Sequence, residues 1–354
     1  MSAPLRADLA LIGFGNVAGR FVSLLDECRD RLLRDYALEC RIVGVTTRRK
    51  GTLYDPSGLD RARLIGDWRT VPPGPGAFQI IDSLGSSDAD LRVVVETTTL
   101  DIASGQPAID HVRAGIAAGC HVITANKGPV AFAYAALRDA ATTGGVHFLF
   151  EGAVMDGVPI FNLVRETLPA VTVSGFRGVV NSTTNHVLTA LEQGHDFDAA
   201  VARMQAEGIA EADPSLDLDG WDAAAKTAAL ANVLLDANLT PHGVQRTGIQ
   251  RSDGLRARQA LAEGRRLKLV ASAVRSGSGV VRAVVEPCEL PASDLLASLG
   301  GKANALVLQT NVLGEIAICQ LEGSLTHTAY ALLSDLITLR SREAPLAGPA
   351  RRIP

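Results

Sequence analysis

Apolar positions in the first part of the chain come in short, nearly continuous runs. DLALI (8–12) leads into GFGNVA and an amphipathic helical segment reaching about Arg34. CRIVGVTT, RVVVETTT, HVITANK and HFLFEGAV are further runs of the same kind, with a helical stretch over roughly Pro107–Ala118 between the second and third. Continuous apolar runs suit strands buried on both faces. Their alternation with helices predicts βαβ units and an α/β fold with a doubly wound parallel sheet. Ligands of such sheets sit at the carboxyl ends of the strands. The glycines of GFGNVA, the basic run Arg48-Arg49-Lys50, the Thr97–Thr99 run and Lys127 all fall at such ends.

The pattern then changes. FRGVVNSTTNHVLTAL reads as a strand running into a helix, and FDAAVARMQAEGIA and WDAAAKTAALANVLL read as helices. From about Lys268, LKLVASAVR, GVVRAVVEP, NALVLQTN and EIAICQLEG are β-like, separated by Gly and Ser turns. The expected organisation is a dinucleotide-binding domain over 1–150 and an α+β domain over 151–325, its sheet starting near residue 150. A helix over 326–340 packs back on the first domain, and a surface tail occupies 341–354.

Composition narrows the function. The 354 residues, 47% apolar and 20% charged, are those of a globular chain. A net charge of −4 gives no basic footprint for nucleic acid. No run approaches the ~18 apolar residues of a membrane span, and the N-terminal apolar stretch is too short for a signal peptide, so a soluble, cytoplasmic protein is expected. The five cysteines form no CxxC pair and read as buried small hydrophobes; the seven histidines show no metal-ligand spacing.

Four motifs carry candidate chemistry. In Gly13-Phe14-Gly15-Asn16-Val17-Ala18, Gly13 permits a tight turn and Gly15 lets the backbone approach a pyrophosphate. Ala18 allows close strand–helix packing, and the helix start offers N–H groups to phosphate. The second strand ends in Arg48, Arg49 and Lys50 without a carboxylate, which favours NADP over NAD unless the run is only a solvated basic loop. In GIAEADPSLDLDGWDAAAK (208–226), carboxylates converge on a helix where Asp222 and Lys226, four apart, share a face. A pair of that kind is most often a surface ion pair; if buried, the lysine has its charged form disfavoured and can move a proton. Lys127 ends a strand, where it either faces the cofactor crevice, with Thr97 and Thr98 on the neighbouring strand end, or is a surface lysine in a loop. Asn181–Asn185, between a strand and a helix, is either a helix cap or a polar substrate site.

In order and spacing, GFGNVA, the GLD at 58–60, TANK, EGAVMDGVP, GVVNSTTN and AEADPSLDLDGWDAAAK resemble the homoserine dehydrogenase family, most closely its short form lacking a regulatory ACT domain. The resemblance implies a Rossmann domain with an α+β catalytic and dimerisation region, and a homodimer. The implied reaction is reduction of L-aspartate 4-semialdehyde to L-homoserine with NADPH or NADH. It makes Asp222, Lys226 and Lys127 the catalytic set, and Glu211, Asp217, Ser182 and Thr183 the substrate contacts. It implies a sodium ion held at Glu151 by that carboxylate and the carbonyls of Val154, Asp156 and Val158.

Three departures stand out. Ser182 replaces a glycine common in the family, QLEGSLTHTA replaces a glycine-rich loop, and Met155-Asp156 enlarge the turn after Glu151. They place Glu322 or His327 as candidates for the pocket. They also leave two alternatives, a dehydrogenase of another small amino or hydroxy acid and a catalytically silent dinucleotide-binding protein.

Overall fold

The computed structural model describes residues 3–66, 76–206 and 213–343. Two six-stranded sheets organise them. The first contains β1 (Leu5–Ile12), β2 (Leu38–Thr47), β3 (Gly51–Tyr54), β4 (Leu91–Glu96), β5 (His121–Thr124) and β6 (Phe148–Leu149). Their order is β3-β2-β1-β4-β5-β6, parallel except for the β2–β3 hairpin. The chain reverses direction of winding between β1 and β4, and a ligand crevice forms at that switch. Leu9, Ala10, Leu11, Val93, Val94 and Val95 are fully buried, which is why their runs show no polar alternation.

The second sheet contains β7 (Val173–Val179), β8 (Gln245–Arg246), β9 (Arg265–Arg275), β10 (Val281–Pro291), β11 (Asn304–Thr310) and β12 (Gly314–Gln320). Its order is β12-β11-β7-β9-β10-β8, antiparallel except for the short β8–β10 pairing. Helices Ser182–Glu192, Trp221–Leu234 and Asp253–Ala262 cover it.

The helix Trp221–Leu234 buries six alanines (Ala223, Ala224, Ala225, Ala228, Ala229 and Ala231). Side chains this small let it lie close against the helix Lys127–Gly144 of the first unit. Asn232 fixes that contact: its Nδ2 donates to the carbonyls of Val130 (3.1 Å) and Leu239 (2.9 Å), and its Oδ1 accepts from Leu239 N–H (2.8 Å). The helix Leu325–Glu343 returns to pack on Asn16–Glu27, where Arg20 Nε donates to Thr326 Oγ1 (3.0 Å).

Several expectations change. The second sheet begins at Val173, not near residue 150, because residues 151–167 form short helical turns instead. The segment from Asn16 onward is two helices, Asn16–Glu27 and Arg29–Tyr36, meeting at Cys28. The basic run lies in the β2–β3 turn, a hairpin the sequence did not announce. The C-terminal helix extends through Glu343, into the span expected as tail. Cys40 and Cys120 are buried, whereas Cys319 is exposed on an edge strand. No described helix is long and apolar enough to cross a membrane.

Candidate active site

The site lies where the carboxyl ends of the first sheet face the helix starts of the second unit. Gly13 has φ +92°, the left-handed region. A Cβ there would lie 2.7 Å from the backbone of Thr97 and Thr98, so only glycine lets the β1 turn pass under the β4 end. Gly13 N–H donates to Thr46 O (2.9 Å), and Thr97 Oγ1 donates to Gly13 O (3.0 Å), tying three strand ends together. Gly15 caps the helix Asn16–Glu27 and has open space where its Cβ would be. Asn16 is exposed, Phe14 and Val17 are half-buried, and Ala18 is buried against the sheet. An open glycine at a helix start fits a dinucleotide pyrophosphate. Arg48 and Arg49 are exposed at the end of β2.

A buried carboxylate shapes the neighbouring strand ends. Glu96 accepts from Thr98 N–H (3.0 Å), from the Thr98 hydroxyl and from Thr124 Oγ1 (3.0 Å). Asn126 donates to Thr98 O (3.0 Å) and accepts from Gly128 N–H (2.9 Å), capping the helix that opens at Lys127. Sequence reasoning missed both residues; the i, i+2 spacing of Glu96 and Thr98 was the available signal.

The capped helix aims Lys127 at the helix Trp221–Leu234. Gly220, with φ +80°, turns the short Ser215–Leu218 helix directly into it. Asp222 then stands between two lysines: its Oδ1 is 3.2 Å from Lys127 Nζ and its Oδ2 is 3.1 Å from Lys226 Nζ. The three side chains keep 19%, 17% and 16% exposure (Lys127, Asp222, Lys226), enough for a ligand to reach them. Burial alone would push the Asp222 carboxyl up, but Lys226 and Lys127 outweigh it and hold it well below the carboxylate range. Burial likewise opposes the Lys226 charge, yet Asp222, Asp156 and Asp217 together raise its pKa above the ordinary value. Burial disfavours the Lys226 charge as expected, but the three carboxylates outweigh it, so the lysine is held as an ammonium ion. Lys226 Nζ also donates to Val180 O (2.8 Å).

Asn181 joins the substrate-side residues. Its Nδ2 donates to Asp217 Oδ1 (2.7 Å) and Asp222 Oδ2 (2.9 Å), while its Oδ1 accepts from Thr184 N–H (2.8 Å). It is therefore both helix cap and site residue. Thr183 hydrogen-bonds Asp217, whose carboxyl is pushed up by burial and then by the Asp222 charge. Ser182 Oγ accepts from Asn304 Nδ2 (2.8 Å). Glu211 lies outside the described residues. Glu322 and His327 are exposed. The Asp156 side chain, beyond the carbonyl expected of it, accepts from Gln320 Nε2 (3.2 Å) and Thr328 Oγ1 (3.0 Å).

At the expected ion site, Glu151 is buried and its carboxylate accepts N–H groups of Phe161 (2.8 Å) and Asn162 (2.7 Å). Val158 O accepts Ile160 N–H (2.8 Å). Among the described residues no group of three His, Cys, Asp or Glu side chains could hold a metal. The Glu151 carboxylate caps the turn at 160–162 through these two N–H groups.

Comparison with known proteins covers both units. Residues 13–151 match the family model for the NAD-binding domain of homoserine dehydrogenase, and residues 159–337 match the model for homoserine dehydrogenase itself. The chain is 36% identical over 337 residues to the NAD(+)-dependent homoserine dehydrogenase of Pseudomonas canavaninivorans, covering 93% of this chain and 95% of that one. It is 33% identical over 337 residues to the homoserine dehydrogenase of Methanocaldococcus jannaschii, covering 93% and 97%. The crystal structure of a homoserine dehydrogenase from Thiobacillus denitrificans superposes with a TM-score of 0.82 at 29% identity, covering 100% of this chain and 77% of that one. On these grounds, with both halves of the chain matched and the site assembled between them, the chain belongs to the homoserine dehydrogenase family.

Proposed function

We propose that the protein interconverts L-aspartate 4-semialdehyde and L-homoserine, with residues 1–150 carrying the cofactor and 151–325 the substrate. The observation that supports this most is the Lys127–Asp222–Lys226 array, which offers two ammonium groups to a carbonyl oxygen from opposite sides of one carboxylate. NADPH, when bound, supplies the hydride. Two of the three N–H bonds of Lys226 go to Val180 O and Asp222. The third is directed to the substrate oxygen and gives it a proton as the alcohol forms; Lys127 polarises the same oxygen.

Asp217 holds the substrate ammonium group, with Glu211 from the adjoining segment. Two carboxylates beside each other, Asp217 and Asp222, raise one another's cost of ionisation. A cation arriving at Asp217 relieves it, which favours an amino acid over an uncharged hydroxy acid. Ser182 and Thr183 border that position.

NADP is the preferred cofactor, with NAD the alternative, because Arg48 and Arg49 are exposed at the strand end where a 2′-phosphate is read. A sodium ion would be held by the Glu151 carboxylate and the carbonyls of Val154, Asp156 and Val158. A cytoplasmic homodimer completes the reading. Val274, Val280, Val312 and Leu313, 48–66% exposed, lie together at one end of the second sheet and suit a contact with a second copy.

The direct test is turnover of aspartate semialdehyde with NADPH and of homoserine with NADP, beside a panel of small amino and hydroxy acids. Turnover of an analogue but not of homoserine would replace this substrate assignment, and cofactor binding without turnover would replace the enzyme assignment.

A further inference from the structure

The three departures from the family pattern, far apart in the chain, meet in one run of side chains. Ser182 Oγ accepts from Asn304 Nδ2 (2.8 Å), and the same amide reaches Gln320 Oε1 (3.4 Å). Asn304 and Gln320 face each other across β11 and β12. Gln320 Nε2 donates to Asp156 Oδ2 (3.2 Å), and Thr328 Oγ1 donates to Asp156 Oδ1 (3.0 Å). Asn304 and Gln320 are 4% and 6% exposed, so the middle of this run is shielded from water. Packing is equally close: a Cβ on Gly323 would stand 2.7 Å from Asp156 Oδ2, and one on Gly157 would stand 2.5 Å from His327 O. Asp156 itself has φ +48°, a conformation costly outside glycine unless its surroundings hold it.

We propose that Asp156 is a positioning residue for the substrate pocket: its carboxylate clamps the 320–328 segment through Gln320 and Thr328, and through Gln320 and Asn304 sets the Ser182 hydroxyl at the substrate helix. The segment a glycine-rich loop would form is instead held by side chains. Ser182 and Asp156 therefore act as one unit. The kinetic part rests on the proposed reaction; the clamp itself does not.

Hydrogen–deuterium exchange of the free protein reads the clamp. In Asp156→Ala, amides of residues 321–328 exchange several-fold faster while those of the first sheet are unchanged. Steady-state kinetics read the pocket: KM for homoserine rises about tenfold, the scale of one or two lost hydrogen bonds, with kcat within about threefold. Coupling is read by combining Asp156→Ala with Ser182→Gly, where the double variant is no worse than the more impaired single one. Gln320→Leu gives the same readings if Asp156→Ala fails to fold. Unchanged exchange at 321–328, or effects of the two substitutions that simply multiply, overturns the proposal. A wild-type protein inert toward homoserine overturns the reaction instead and leaves the exchange result to decide the clamp.

Discussion

At the residue scale the decisive feature is one carboxylate shared by two lysines. Removing Asp222 leaves two ammonium groups facing each other in a partly buried site. Asp222→Ala is expected to lower kcat/KM at least about 10²-fold, as is Lys226→Ala, measured by NADPH oxidation with aspartate semialdehyde. Near-normal kcat in Lys226→Ala would refute its role as donor. Asp217 gives a pH signature. Burial and Asp222 raise its pKa above the ordinary 3.8, so as pH falls it takes up its proton before an exposed aspartate would. Protonated, it no longer holds an ammonium, so KM for homoserine should rise on the acid side with kcat less affected. Asp217→Asn should abolish that limb. Asp222 and Lys226 were legible from their i, i+4 spacing. Their relation to Lys127 was not, because it joins helices distant in the chain. Nor was the Lys226 charge, which depends on three carboxylates outweighing burial.

At the element scale the strand–turn–helix at β1 was readable because its requirements are local: a buried run, two glycines and a helix start. What the sequence could not show is how tightly the turn is wedged beneath Thr97 and Thr98. Gly13→Ala puts a methyl group into that backbone in a conformation alanine resists. A loss of more than about 2 kcal/mol in denaturant unfolding, with weakened cofactor binding, is expected; an unchanged midpoint would contradict the wedge. The β2–β3 hairpin escaped the sequence reading because Gly51–Tyr54 is short and follows a charged run. Its turn places Arg48 and Arg49 in water at the cofactor end. The double substitution Arg48→Ser/Arg49→Ser should therefore weaken NADPH binding while leaving NADH binding unchanged, as measured by fluorescence titration. Equal weakening of both cofactors would remove these residues from 2′-phosphate recognition.

At the scale of the whole molecule, the two sheets were legible as separate patterns but their union was not. One apolar cluster runs from Ile12 and Val94 of the first sheet through Val130 and Ala228 to Leu306 and Leu308 of the second. The two halves meet at the contact between Lys127–Gly144 and Trp221–Leu234, where alanines allow close approach and Asn232 bonds the Val130 and Leu239 carbonyls. Alanine periodicity predicts a helix but not its partner, so this contact had no sequence signature. The same two helices carry Lys127 at one start and Asp222 with Lys226 at the other. Coupling of the halves and assembly of the site are therefore one structural event. Truncating Asn232 to alanine leaves the Val130 and Leu239 carbonyls and the Leu239 N–H without their buried partner, at a cost of about 2–3 kcal/mol. The wild type should unfold in one calorimetric transition that NADPH moves upward as a whole, since a ligand of one half stabilises whatever unfolds with it. Asn232→Ala should lower that transition and reduce kcat through displacement of Lys127 from Asp222. If NADPH shifts only part of a split wild-type transition, the halves are independent and the site is held by the lysine–carboxylate contacts alone.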